Sequence, residues 1–139
     1  MRGFTLIEVM IVVVIIAILA TIAYPSYVRQ IRKSRRAQAK ADIVQVAQNL
    51  ERNFTQTSAY TTAPSATNVY FCSSAFSQPS PSSGTAYYTL TLGNCTATTY
   101  TVTATPEGDQ TNDVCGTLTM DQTGKRTPDN VTDAGQACW

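Results

Sequence analysis

From Phe4 to Tyr24 the chain reads FTLIEVMIVVVIIAILATIAY, an almost unbroken apolar run long enough to cross a hydrocarbon core of about 30 Å as one helix. Past Pro25 the pattern becomes amphipathic. Tyr27, Ile31, Ala37, Ala41, Val44, Ala47, Leu50 and Phe54 recur at steps of three and four, or sums of these, with Arg32, Arg35, Arg36, Gln45, Gln48 and Glu51 assigned to the polar face. These spacings predict a helix over residues 4–54, about 75 Å long at the usual rise. Residues 4–25 would lie in a membrane or bundle, and residues 26–54 would carry the amphipathic half. Thr21 and Pro25 interrupt the run, and a proline inside a helix removes one backbone hydrogen bond and kinks it.

Residues 55–84 are rich in Thr, Ser, Ala and Pro and close on SQPSPSSG, a loop composition with Tyr60, Tyr70, Phe71 and Phe76 available to pin it down. Alternation then takes over. Tyr87 to Leu92, Thr98 to Thr105 and Gly116 to Asp121 alternate bulky and hydroxyl residues, the signature of half-buried strands. Gln122 to Lys125 supplies a turn towards a short fourth strand at Arg126-Thr127. One face gathers Tyr88, Leu90, Leu92, Tyr100, Val102, Ala104, Leu118 and Met120, which predicts an antiparallel sheet laid over the helix stripe. Residues 55–139 therefore read as an α+β globular head.

Charge divides the chain. Seven Lys or Arg lie between Ser26 and Arg52 against Asp42 and Glu51, whereas six acids beyond Arg52 (Glu107, Asp109, Asp113, Asp121, Asp129, Asp133) face Lys125 and Arg126. Histidine is absent, which removes the commonest general base and every Ser-His or Cys-His pair. No phosphate-cradling glycine loop or CxxC pair occurs. No catalytic residue, metal or cofactor is expected; Asp129 and Asp133 lack the EF-hand pattern.

Glu8 is the one side chain of the apolar run that is charged at neutral pH. A carboxylate in hydrocarbon costs roughly 2.5–3.5 kcal/mol or more, so it needs a partner or loses its charge. The nearest cation that can be made is an α-amine at Phe4, released by a cut after Gly3. A neighbouring helix shifted by about a turn offers the same amine to Glu8. One acid thus points to both processing and self-assembly.

The stretch Gly3-Phe4-Thr5-Leu6-Ile7-Glu8, followed by the apolar run and Pro25, resembles the type IV pilins. That resemblance implies a prepilin leader at residues 1–3, cleavage by a prepilin peptidase between Gly3 and Phe4, and N-methylation of Phe4. It also implies subunit registration by Glu8 and a segment near Pro25 that can lose helicity in a filament. Four cysteines allow three pairings. We favour Cys72 with Cys95 and Cys115 with Cys138, each bridge contributing about 3 kcal/mol by loop closure. The second pairing resembles the C-terminal disulfide region of pilins. The run Asp113 to Thr119 and the final Cys138-Trp139 look like the PilE-type small pilins of Gram-negative bacteria. The fold implied is the type IV pilin fold: a long kinked N-terminal α-helix on an antiparallel sheet. Basic residues just past the span predict a cytoplasmic head by charge count. The cysteines and the resemblance predict the opposite side, and we follow them.

The leading reading is a structural subunit that assembles through its apolar helix into a type IV pilus, with motility, adhesion or DNA uptake as implied roles. Its partners would be other pilins, the inner membrane before assembly, prepilin peptidase, and the pilus assembly machinery. The basic stalk would meet acidic surfaces on neighbouring heads, or lipid headgroups before extraction. The alternatives are a DNA-binding minor pilin for natural transformation and a pseudopilin of a type II secretion system. For DNA, the head offers only Lys125, Arg126 and Trp139. Set among six acids, Lys125-Arg126 reads first as an ordinary exposed turn.

Overall fold

A computed structural model of the chain describes residues 5–63, 70–128 and 137–139. The chain divides into two compact units, Met1–Ser34 and Arg35–Trp139. Helix α1 (Leu6–Thr57) supplies most of the first unit and the opening of the second.

In the first unit Thr5 opens the helix. Its carbonyl accepts the Val9 N–H at 3.3 Å as the first bond of the helix, and its hydroxyl accepts the Glu8 N–H at 3.4 Å, satisfying one donor that a helix start leaves free. Glu8 sits in the first turn, where its carboxylate faces the positive end of the helix dipole. The helix continues through Pro25, and the Thr21 hydroxyl donates to the Ile18 carbonyl at 2.7 Å. By length and composition α1 is able to cross a membrane, and its large apolar side chains from Leu6 to Ile22 are all exposed.

The second unit is built on a five-stranded antiparallel sheet in the order β1 (Ser77–Ser80), β2 (Tyr88–Gly93), β3 (Thr101–Pro106), β4 (Leu118–Asp121) and β5 (Arg126–Pro128). Sequential neighbours pair throughout, as an antiparallel meander with short connections allows. Tyr88, Leu90, Leu92, Tyr100, Val102, Ala104, Leu118 and Met120 are all buried, and they share one core with Ala39, Ile43, Val46, Ala47 and Leu50 of α1.

Several boundaries and faces differ from the sequence expectation. The helix runs to Thr57, where Ser58 takes a left-handed φ of 60° and its N–H bonds the Phe54 carbonyl at 2.8 Å. Strand β1 lies in a stretch expected to be loop. It is an edge strand, and an edge tolerates Pro79 because one side of it lacks ladder partners. β3 starts at Thr101 rather than Thr98, since the Thr96 hydroxyl accepts the N–H groups of Thr98 and Thr99 and closes a turn there. Gly116, at φ 55°, is a turn residue and not the start of β4. Phe71 is exposed, so it does not pin the loop, whereas Tyr60 is buried between Phe54 and Tyr100.

The helix stripe is rotated. Ala37 and Ala41 face solvent, while Arg36, Ala39, Asp42 and Asn53 are buried. Buried polar side chains of this face tie the helix to the rest of the head. Asp42 accepts from Gln38 at 2.9 Å and from the Ser80 hydroxyl, tying helix to β1. The Asn53 amide donates to the Ala59, Tyr60 and Thr62 carbonyls at 3.4, 3.3 and 2.9 Å, which fastens the chain leaving the helix.

Tyr60 and Tyr100 both donate to Glu51, at 2.9 and 3.0 Å. Burial first, and then this bond, pushes the Tyr60 phenol from its ordinary 10.0 up to about 12; Tyr100 is raised by the same causes. Burial also pushes Tyr88 up to about 12, with Asp113 adding while Gln110 and Arg36 oppose. In the unfolded chain these three phenols ionise near pH 10, and in the folded head only at higher pH. Their contribution to stability is therefore complete below about pH 10 and declines as pH rises towards 12. Melting followed by circular dichroism across that window should show the midpoint falling.

Candidate nucleic-acid interface

Three distant stretches meet at the last residue. Arg126 lies at the start of β5, Lys40 on α1, and Trp139 two residues beyond the exposed Ala137. The Arg126 guanidinium stands 5.4 Å from the centre of the Trp139 ring, and the Lys40 ammonium 5.9 Å. Both are within cation–π range of the half-buried indole. Lys125 and Arg126 are exposed, and their turn is braced from below. The Asp121 carboxylate accepts Thr123 N–H at 2.9 Å, Thr123 hydroxyl at 2.6 Å and Lys125 N–H at 3.1 Å, and these bonds, led by the Thr123 hydroxyl, hold it below its usual pKa.

Lys40 was invisible as a site residue, because its position within a run of basic helix residues marks it only as stalk. The head's acids are also less of a surround than their number implies. Asp113 pairs with Arg36 at 3.2 Å, Asp109 lies 3.9 Å from Arg35, Glu107 takes the Thr89 hydroxyl, and Asp121 holds its own turn. Asp129 and Asp133 lie outside the described residues. Two of the stalk's cations are already engaged within the head. Arg36, expected on the polar face, and Arg35 find acids within their own unit, and Arg35 also covers the Tyr87 ring at 3.7 Å.

The tail carrying Trp139 is anchored by a disulfide. Cys115 is bonded to Cys138, and Cys72 to Cys95. Arg36 donates to both Asp113 oxygens at 3.3 and 3.2 Å and also to the Cys115 sulfur, while the Tyr88 hydroxyl reaches Asp113 at 3.3 Å and accepts from Gln110 at 3.1 Å. Helix, sheet and C-terminal bridge are locked at one buried node. Of the other sequence candidates, Glu8 and Pro25 both lie in α1, and Gly3 and Phe4 fall outside the described residues. Among the described residues no cluster of His, Cys, Asp and Glu is arranged to hold a metal ion.

An apolar N-terminal helix with an acid in its first turn, a helix-backed antiparallel sheet and a disulfide-closed C-terminus together define a type IV pilin. The chain belongs to the family described as type IV minor pilin ComP, DNA uptake sequence receptor, whose model matches residues 25–119. Residues 1–24 match the prokaryotic N-terminal methylation motif. A type IV pilin from Shewanella oneidensis shares the fold at TM-score 0.52 and 24% identity, over 78% of this chain and 97% of its own. The non-core minor pilin PilV of Neisseria meningitidis does so at TM-score 0.53 and 17% identity, over 78% and 94%. A comparison with curated proteins yields no match. The protein is a pilin subunit, held in the inner membrane as a prepilin and then carried in the extracellular pilus with other pilins by the pilus machinery.

Proposed function

We propose that this pilin is a non-enzymatic receptor that captures duplex DNA at the cell surface on a patch made of Lys40, Lys125, Arg126 and Trp139. The observation that carries this reading is the placement of the indole within cation–π range of two cations from well-separated parts of the chain. Cations so placed neutralise phosphates and release counterions, while the flat ring rests against sugar or base. The match to a family of DNA uptake sequence receptors supports the same ligand. We infer further that residues 1–3 are the leader removed by prepilin peptidase, that Phe4 is the methylated residue, and that Glu8 and Pro25 serve assembly.

Trp139 is the sole tryptophan, so its fluorescence reports on the patch directly. Titration of the detergent-solubilised full chain with duplex DNA at several salt concentrations should quench it. Converting Lys40, Lys125 and Arg126 to Ala should lower affinity at least about tenfold and flatten the log–log salt slope by about 0.9 for each phosphate that is no longer neutralised. Unchanged affinity and slope in the triple variant would remove the patch from consideration.

A further inference from the structure

We propose that Cys138 is a thiol-exchange site. A dithiol oxidoreductase attacks the Cys138 sulfur, expels Cys115 as a thiolate beside Arg36, and so unfastens Trp139. The consequence for DNA rests on the reading of the patch given above; the exchange itself does not.

The two sulfurs of this bridge sit in unlike places. Cys115 is fully buried in the turn before β4, with the Arg36 guanidinium donating to its sulfur from the helix side. Cys138 is buried too, at 5% exposure, but it lies in residues 137–139, outside any helix or strand and next to the exposed Ala137. Local opening of such a tail is the easier of the two. A nucleophile arriving in line with the bond therefore meets Cys138 first. The leaving group points the same way, since a thiolate departs faster when a neighbouring cation lowers its pKa. Asp113 shares the same guanidinium and moderates this effect, so Arg36 acts on which sulfur leaves.

The step balances without any other reagent. One thiolate of the dithiol bonds to the Cys138 sulfur as the Cys115–Cys138 bond breaks, and Cys115 leaves with the electron pair. The second thiolate of the reductant then attacks its own partner's sulfur in the mixed disulfide. Cys138 is released as a thiolate and takes a proton from solvent. The dithiol ends as a disulfide, and two electrons have passed to the pilin. Trp139, one residue beyond Cys138, is then no longer tied to the turn that holds it near Lys40 and Arg126. The Cys72–Cys95 bridge joins the stretch before β1 to the β2–β3 loop, so breaking it leaves this tie in place.

The test uses the full chain in detergent. After brief reaction with glutathione and alkylation of free thiols, peptide mass mapping should find the glutathione adduct on Cys138 and the alkyl group on Cys115. An adduct chiefly on Cys115 would overturn the assignment. Arg36→Gln should turn the single adduct into a mixture, and Arg36→Lys, which keeps a cation at the node, should restore the single adduct; a mixture in both would assign Arg36 a structural role only. Full reduction should lower the fluorescence anisotropy of Trp139 and weaken duplex binding about tenfold. It should add no further loss in Trp139→Ala, a variant that keeps both bridges. Anisotropy unchanged by reduction would refute the release. If the oxidised wild type fails to bind DNA, the patch reading falls, while adduct mapping and anisotropy still decide the exchange.

Discussion

Replacing Asp113 with Ala is expected to destabilise the head by about 3–5 kcal/mol, the cost of leaving a buried cation without its anion. Arg36 and Asp113 have side chains only 2% and 5% exposed, and one guanidinium nitrogen bonds both carboxylate oxygens. Water cannot replace the missing carboxylate at such burial. The Tyr88 hydroxyl loses an acceptor as well, so the damage extends into β2. The compensated double variant Arg36→Met with Asp113→Leu should recover much of that loss, because it removes the stranded charge along with its partner. Urea unfolding of the full chain, followed by circular dichroism, measures both. Equal stability of Asp113→Ala and wild type would show that the ion pair is unimportant. A double variant no better than the single one would show that geometry at the node, and not charge burial, is what matters.

Glu8→Val is expected to leave a membrane-inserted protein with an intact head that is recovered from sheared pili at least about tenfold less than wild type. Its carboxylate costs roughly 2.5–3.5 kcal/mol in hydrocarbon unless a cation offsets it. On the proposal that this cation is the Phe4 amine of a neighbouring subunit, a fibre would supply it at one axial stagger only, and a single charge would set register. A tenfold change in incorporation needs only about 1.4 kcal/mol of that interaction. The start of the helix should survive, since Thr5 accepts from the Glu8 backbone N–H and the side-chain carboxylate is not needed there. Immunoblots of membrane and sheared fractions give the ratio. Glu8→Gln, which keeps length but not charge, should fall between the two. Equal incorporation of all three would remove Glu8 from the assembly mechanism.

Much of the fold was legible because it is written in local pattern. The alternation from Tyr88 to Leu92 and from Tyr100 to Ala104 put every one of those bulky residues on the buried face. The turn at Gln122 to Lys125 was marked closely, and the misplaced start of β3 came from threonines whose hydroxyls bond nearby backbone instead of letting the ladder continue. β1 was missed because serine and proline carry no strand preference, and an edge position does not require one. The helix face was misread because Ala37, Ala39 and Ala41 are equally small. With little bulk to mark the buried side, the pattern fits two rotations, and Arg36 went to the wrong one.

The site shows the same division. Lys125, Arg126 and Trp139 could be named from the chain, but Lys40 could not, since nothing in residues 29–40 distinguishes one cation from the next.

By itself, the sequence determined the apolar helix and its acid, the alternating faces of the central strands, and the cysteines available for bridging, because each follows from the character of residues close along the chain. Only the tertiary structure decided that Arg36 would find an acid 77 residues away, and that Trp139 would come to rest within reach of Lys40 and Arg126. Such meetings depend on the rotation of the helix against the sheet and on where the last bridge brings the tail. Core packing fixes both, and no local pattern records them.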